Sequence, residues 1–168
     1  MFGKSVKMDF DEDNFLEFLW KAHQNTYAAP DEIRKHNKTG KFLLPGFVGY
    51  AFSYGDWQYH DSYAGRRWPP GKEVVFFKDN PVWTMSYQGK VSDELDEQEV
   101  NAVYSFLRTA LRNADPLTPF RGPSQFRDAG LEYNFSFKGD YSYFTGKEVV
   151  TRDGIELFFQ DIMGSIIL

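Results

Sequence analysis

The chain has no cysteine in 168 residues. That excludes disulfides, thiolate metal sites and a cysteine nucleophile. It suits a reducing compartment, so a cytoplasmic location is expected. Histidine is scarce too: His23, His36 and His60 are the only three, and their spacing fits no metal-ligand pattern. No metal and no cofactor is expected. The sequence shows no Walker-type loop, no dinucleotide fingerprint and no nucleophile elbow. No apolar run approaches the roughly 20 residues of a membrane span, so no membrane partner is expected. Met1–Phe10 lacks the apolar core and the cleavage pattern of a signal peptide. Positive charge is in deficit, with 19 Lys and Arg against 24 Asp and Glu and a net charge of −5. Such a chain repels phosphate backbones, and no nucleic-acid partner is expected. Two basic clusters, Arg34–Lys38 and Arg66-Arg67, read as solvated loops.

Aromatic residues are abundant: 17 Phe, 10 Tyr and 4 Trp. Many fall at alternate positions, which favours strands. The length suits one domain, 1–168, large enough to bury a core without staples.

The sequence repeats itself. Gly71-Lys72-Glu73-Val74-Val75 recurs 75 positions on as Gly146-Lys147-Glu148-Val149-Val150, and Gly89 recurs as Gly164. Gly55-Asp56-Trp57-Gln58-Tyr59 resembles Gly139-Asp140-Tyr141-Ser142-Tyr143 at an offset of 84. Each copy begins with a helix signal. Asp11 is a good N-cap, with Phe10 and Phe15 at the staple positions. Phe15, Leu16, Leu19, Trp20, His23 and Tyr27 follow at helical spacing. Asp96 with Glu99 forms a capping box, stapled by Leu95 and Val100. Val100, Val103, Leu107, Ala110 and Leu111 make the apolar face of that helix, which Asn113 and Pro116 end.

These signals predict an α+β fold of two tandem units, at about 10–91 and 95–168. Each unit is a helix followed by a four-stranded antiparallel meander. A pseudo-twofold relation between the units is expected, with a groove or cavity between them.

The change of offset from 84 to 75 predicts nine extra residues in the first unit, within His60–Pro70. A segment the second unit manages without is the first place to look for function. Along the strand before it, Trp57, Tyr59, Asp61 and Tyr63 share one face, and His60 lies on the other. Asp61 is thus expected among rings, where a carboxylate must be paired, hydrogen-bonded or neutralised. It either fixes a turn or pairs with Arg66, Arg67 or Arg121, or it anchors a ligand. Because Glu73 and Glu148 match between copies, a structural role such as an edge charge is expected for them; a flanking acid–base pair is the alternative. Trp83, Met85 and Tyr87 share a strand face, as do Phe158, Gln160 and Ile162, and both stripes read first as core.

Several stretches resemble an uncharacterised bacterial family, a domain of unknown function found alone or behind a phage-repressor-type helix-turn-helix. Lys21-Ala22 with Thr26-Tyr27-Ala28 is similar to the family's first-helix ending. Asp61, Tyr63 and Gly65 resemble its Asp-Thr-Tyr-x-Gly stretch, and Gly71, Glu73 and Val74 its Gly-Glu-Glu-Val stretch. Pro81–Gly89 is similar to Pro-Val-Trp-Ser-Met-Asn-Tyr-x-Gly, and Arg121-Gly122-Pro123 to Tyr-Arg-Gly-Pro. The resemblance implies no activity.

Three functions follow as expectations. The first is a non-catalytic, sensor-like domain whose aromatic pocket holds a small molecule. Its candidate residues are Trp57, Tyr59, Asp61, Tyr63, Arg66, Glu73, Trp83, Met85, Tyr87 and Arg121. The second is a protein-interaction module forming a homodimer. The third is a hydrolase or isomerase using Asp61 or Glu73.

Overall fold

The structure, a computed structural model, describes residues 10–39 and 45–167. Residues 1–9, most of the stretch tested for a signal peptide, lie outside them, as does Leu168.

Helix α1 (Glu12–Asn25) starts where Asp11 Oδ1 accepts a hydrogen bond from the Asn14 N–H. The rings of Phe10 and Phe15 meet at 5.7 Å. The helix ends at Asn25, so Tyr27 lies just beyond it. Helix α2 (Asp31–His36) and strand β1 (Lys38–Thr39) occupy the basic stretch expected to be loop. Strands β2 (Val48–Tyr54), β3 (Trp57–Tyr63), β4 (Pro70–Phe77) and β5 (Asn80–Val91) follow. Helix α3 (Glu97–Arg112) opens with the full Asp96–Glu99 capping box and stops at Asn113. The chain closes with β6 (Gln125–Asp128), β7 (Leu131–Asp140), β8 (Tyr143–Arg152) and β9 (Ile155–Ile166).

The strands form one sheet in the order β1-β2-β3-β4-β5-β9-β8-β7-β6, with each neighbouring pair antiparallel. Among the described residues five strands precede α3, one more than the expected meander, and four follow it; the β5–β9 ladder joins them into an α+β fold with a continuous sheet. Helix α1 lies against β2 and β3, α3 lies against β6 and β7, and the two helices touch. Phe15, Leu19, Val100, Val103, Leu107 and Ala110 are buried against Tyr59, Val75, Trp83, Tyr133, Val150 and Phe158. Burying a large apolar side chain stabilises by about 1.5–3 kcal/mol, so this interface holds the helices down.

The β4–β5 and β8–β9 hairpins share a register. Gly71 faces Tyr87 and Glu73 faces Met85; Gly146 faces Ile162 and Glu148 faces Gln160. Both ladders shift register at matching places, after Val75 and after Val150. Their turns, Lys78-Asp79 and Asp153-Gly154, hold both residues at positive φ, as tight hairpins favour.

The Gly-Asp repeats do not correspond. Gly55-Asp56 turns β2 into β3, whereas Gly139-Asp140 lies at the turn from β7 to β8. Glycine and aspartate recur in any turn, and such a match cannot identify equivalent ones. In register, Asp61 faces Glu73 and Phe135 faces Glu148. The chain between Tyr63 and Gly71 is nearly as long as that between Phe137 and Gly146, so the predicted nine-residue insert does not exist. What differs is the path: the second stretch continues as a β-ladder, while residues 64–69 leave the sheet.

Candidate functional site

Strand alternation aims Tyr59, Asp61, Glu73, Tyr87, Tyr133, Glu148 and Gln160 at the face beneath the helices. All seven are buried. His23 from α1 and Arg121 from the α3–β6 connection complete a polar network inside an aromatic core.

Arg121 is the hub. Its guanidinium donates to Glu148 Oε1 at 2.7 Å and Oε2 at 3.3 Å, to Gln160 Oε1 at 3.1 Å and to Glu73 Oε1 at 3.4 Å. Tyr133 Oη donates to Glu148 Oε2 at 2.8 Å and accepts the Gly122 N–H at 3.2 Å. His23 Nε2 and Glu73 Oε2 are 2.7 Å apart. The matched glutamates are therefore interior groups rather than edge charges. A planar guanidinium suits this bidentate work. Burial alone would lower the Arg121 pKa, but Glu148 and Glu73 hold it well above its ordinary value.

Asp61 lies apart from this pairing. Arg66, Arg67 and Arg121 were its expected partners, yet its hydrogen bond comes from Tyr87 Oη at 2.7 Å. Burial, and then the charge of Glu73, push its carboxyl up to about 8, against the opposing pull of Tyr87 and Arg121. Glu73 behaves in the opposite way. Burial would raise it, but His23, Arg121 and Tyr59 together hold it below its ordinary 4.5. Two facing carboxyl groups are thus driven apart, one proton-bearing and one ionised at neutral pH. Burial and the nearby acids raise the Tyr59 and Tyr87 hydroxyls well above the usual phenol range.

A cavity of about 280 Å³ opens over Asp61. Its floor is Asp61, Tyr87, Arg121 and Gln160. One wall is the α3 face of Asn101, Tyr104, Leu107 and Arg108, and another is Tyr27 with Tyr63. The loop after β3 closes the mouth with Gly65, Arg66 and Pro69. That loop is pinned to α3: Arg66 donates to Glu97 Oε2 at 2.9 Å and to Asn101 Oδ1 at 2.7 Å. Arg67 donates to Glu97 Oε1 at 2.9 Å, and Tyr104 Oη donates to the Arg66 carbonyl.

Of the ten residues expected at a site, Asp61, Tyr63, Arg66, Tyr87 and Arg121 line this cavity. Tyr59 and Glu73 line a much smaller recess of about 20 Å³ beside His23 and Arg121. Trp57, Trp83 and Met85 are core: Trp57 packs on Phe18 and Phe77, and Trp83 on Phe15 and Phe144. Sequence reasoning did not place Tyr27, Tyr104, Arg108 or Gln160 at the cavity. The available signal was position: Tyr104 and Arg108 flank the apolar stripe of α3, and Gln160 interrupts the stripe of β9.

His60 lies on the opposite face of β3 from Asp61, where its ring meets Phe76 at 5.3 Å. Among the described residues, no group of three or more His, Asp and Glu is arranged to hold a metal ion. Among them, too, no helix is long and apolar enough to cross a membrane.

An antiparallel sheet with two helices over a buried charge network and a small cavity defines an α+β domain, without specifying a chemistry. Residues 61–167 match the family described as domain of unknown function (DUF5680), and the chain belongs to that family. The matched span contains Asp61, Glu73, Tyr87, Arg121, Glu148 and Gln160; His23 and Tyr27 precede it. No curated protein matches the chain, and no solved structure matches it.

Proposed function

We propose that this domain holds a small molecule non-catalytically, as a sensor does, in the cavity above Asp61. The observation that carries this reading is the cavity itself. Its floor is made of buried hydrogen-bonding groups, its walls are rings and its mouth is bounded by a pinned loop. Pockets that recognise ligands combine apolar walls with a few fixed polar groups in this way. The residues assigned to the site are Asp61, Tyr63, Arg66, Tyr87 and Arg121, joined by Tyr104, Arg108 and Gln160. A metabolite screen by thermal shift tests it, since a ligand that binds only the folded state raises the melting midpoint. A ligand at 100 times its Kd stabilises by about 2.7 kcal/mol. A hit should lose its effect in Leu107→Trp, which fills the cavity. A hit whose shift survives that substitution binds elsewhere and defeats the reading.

We also infer that the frame arose by duplication, with a pseudo-twofold axis through the β5–β9 ladder. The shared hairpin register supports it. So does the pairing of Tyr87 with Ile162, two residues 75 positions apart that face each other.

A further inference from the structure

We propose that the cavity takes a small ring-bearing organic anion, a monocarboxylate whose carboxylate meets Arg108 and whose ring lies among Tyr27, Tyr63 and Tyr104. This rests on the reading of the cavity as a binding site and assigns its ligand class.

Among the described residues three guanidinium groups line the cavity, and two of them are paired with carboxylates. Arg66 is held by Glu97 and Asn101, and Arg121 by Glu148, Glu73 and Gln160. Arg108 is half-buried on α3 and forms no ion pair among the described residues; it interacts with the Tyr27 hydroxyl, and its guanidinium carbon lies 5.9 Å from the Tyr27 ring centre. An arginine without a carboxylate, in the wall of a cavity, is a ready partner for one.

The floor favours the same charge. Among the described residues Asp61 is the only carboxyl group lining the cavity. Burial and Glu73 keep it protonated at neutral pH, so it offers a donor rather than a negative charge. Gln160 gives its Oε1 to Arg121, and the residue, 3 % exposed, borders the cavity. A cationic ligand would meet the Asp61 donor and the carboxylate-free Arg108, with no acid left over in the lining to balance it. An anion with a second acceptor on its ring would satisfy Asp61 or Gln160 on the floor and Arg108 in the wall.

Size narrows the class. At about 280 Å³ the cavity falls at the small end of ligand pockets, which suits one ring with a short acidic arm and excludes a nucleotide. The rings already present show how another would sit. Tyr27 meets Tyr63 edge-on at 5.8 Å, and Tyr104 meets Phe158 edge-on at 6.0 Å.

Benzoate, benzylamine and benzyl alcohol have the same ring and three different charges, and they separate the outcomes. Each is titrated into the full chain at neutral pH, with the aromatic NMR signals of Tyr63, Tyr104 and Phe158 reporting the cavity. Benzoate should bind tighter than the other two. Arg108→Gln should weaken it by about ten- to a hundredfold, the range for a hydrogen bond to a charged group. Arg108→Lys should recover part of that loss, and both variants should stay folded with only a small drop in melting midpoint from the lost contact with Tyr27. Benzylamine or benzyl alcohol binding as tightly as benzoate would overturn the anion assignment and leave the cavity standing. Benzoate binding untouched by Arg108→Gln would overturn it as well. If none of the three moves the reporter signals at millimolar concentration, the cavity reading fails along with this one.

Discussion

Glu73 in β4 and Glu148 in β8 hold the same place in their hairpins, opposite Met85 and Gln160, but they meet different neighbours. Across the outer ladder, Glu73 faces Asp61 and Glu148 faces Phe135. Two positions along from Met85 and Gln160 stand Tyr87 and Ile162. In the second half the glutamate is closed off by Arg121 and Tyr133. In the first half it sits beside a second carboxyl group, which leans on Tyr87 and borders the cavity. One backbone frame thus carries a sealed ion pair on one side and an accessible proton-bearing group on the other. A shared scaffold fixes where side chains point, and the side chains at a few facing positions fix whether a site exists there.

Removing the hub should break both sides at once. Arg121→Met leaves Glu148 and Glu73 buried without their common cation, and losing one partner of a buried pair costs about 3–5 kcal/mol. Urea unfolding should show a larger loss than Glu148→Gln, Glu73→Gln or Tyr87→Phe produces alone. A second substitution, Glu148→Gln, should return part of it, because the stranded charge is then gone. A loss below 1 kcal/mol, or no rescue, would mean the hub is not what holds the two halves together.

The next test sets one glutamate against the other. Glu148→Gln removes the charge and turns one of the two oxygens that accept from Arg121 and Tyr133 into a donor, and a hydrogen bond to a charged group is worth about 1.5–3 kcal/mol. Glu73→Gln removes the contacts to His23 and, at 3.4 Å, to Arg121, but it also relieves the repulsion on Asp61. The second substitution should therefore cost less than the first, about 1 kcal/mol. Equal losses from the two would erase the distinction between sealed and accessible halves.

Much of this frame was legible in the chain, and the failures share a cause. The Asp11 and Asp96 caps are local signals, readable because a helix N-terminus leaves N–H groups that only nearby side chains can satisfy. The offset of 75 between hairpins was readable because strand register copies directly into sequence spacing. Alternation also placed Asp61 among rings. The β5–β9 ladder, by contrast, joins residues far apart, and no local pattern announces which edges will meet. The Gly-Asp match misled because turn chemistry is generic, and the supposed insert went with it. Arg121 was named as a candidate partner for Asp61. Its reach across to Glu73, Glu148 and Gln160 depended on tertiary packing. Trp57 and Trp83 are pocket candidates in the sequence because rings line pockets, but rings fill cores as well, and the core reading that comes first for the Trp83 stripe is the one that holds.

Tyr87 offers the smallest and most pointed test of the accessible half. Its hydroxyl donates to Asp61 Oδ1, and Tyr87→Phe should cost about 1 kcal/mol at neutral pH. The pH dependence carries the distinctive signature. Between its ordinary 3.8 and about 8, Asp61 holds a proton in the folded state that the unfolded chain releases. Its contribution to stability is therefore full below the lower value and declines as pH rises, by up to about 1.4 kcal/mol per pH unit, until the upper value is passed. Tyr87 pulls that upper value down by hydrogen-bonding the carboxylate. In Tyr87→Phe the carboxyl should titrate at higher pH than in wild type, as carbon-detected NMR of the Asp61 side chain would show. Ile162→Val, made at the facing position in the sealed half, should leave that titration where it was. If Tyr87→Phe leaves the Asp61 titration unmoved or lowers it, the phenol is not what steadies this carboxyl group, and the contrast between the halves must be sought elsewhere.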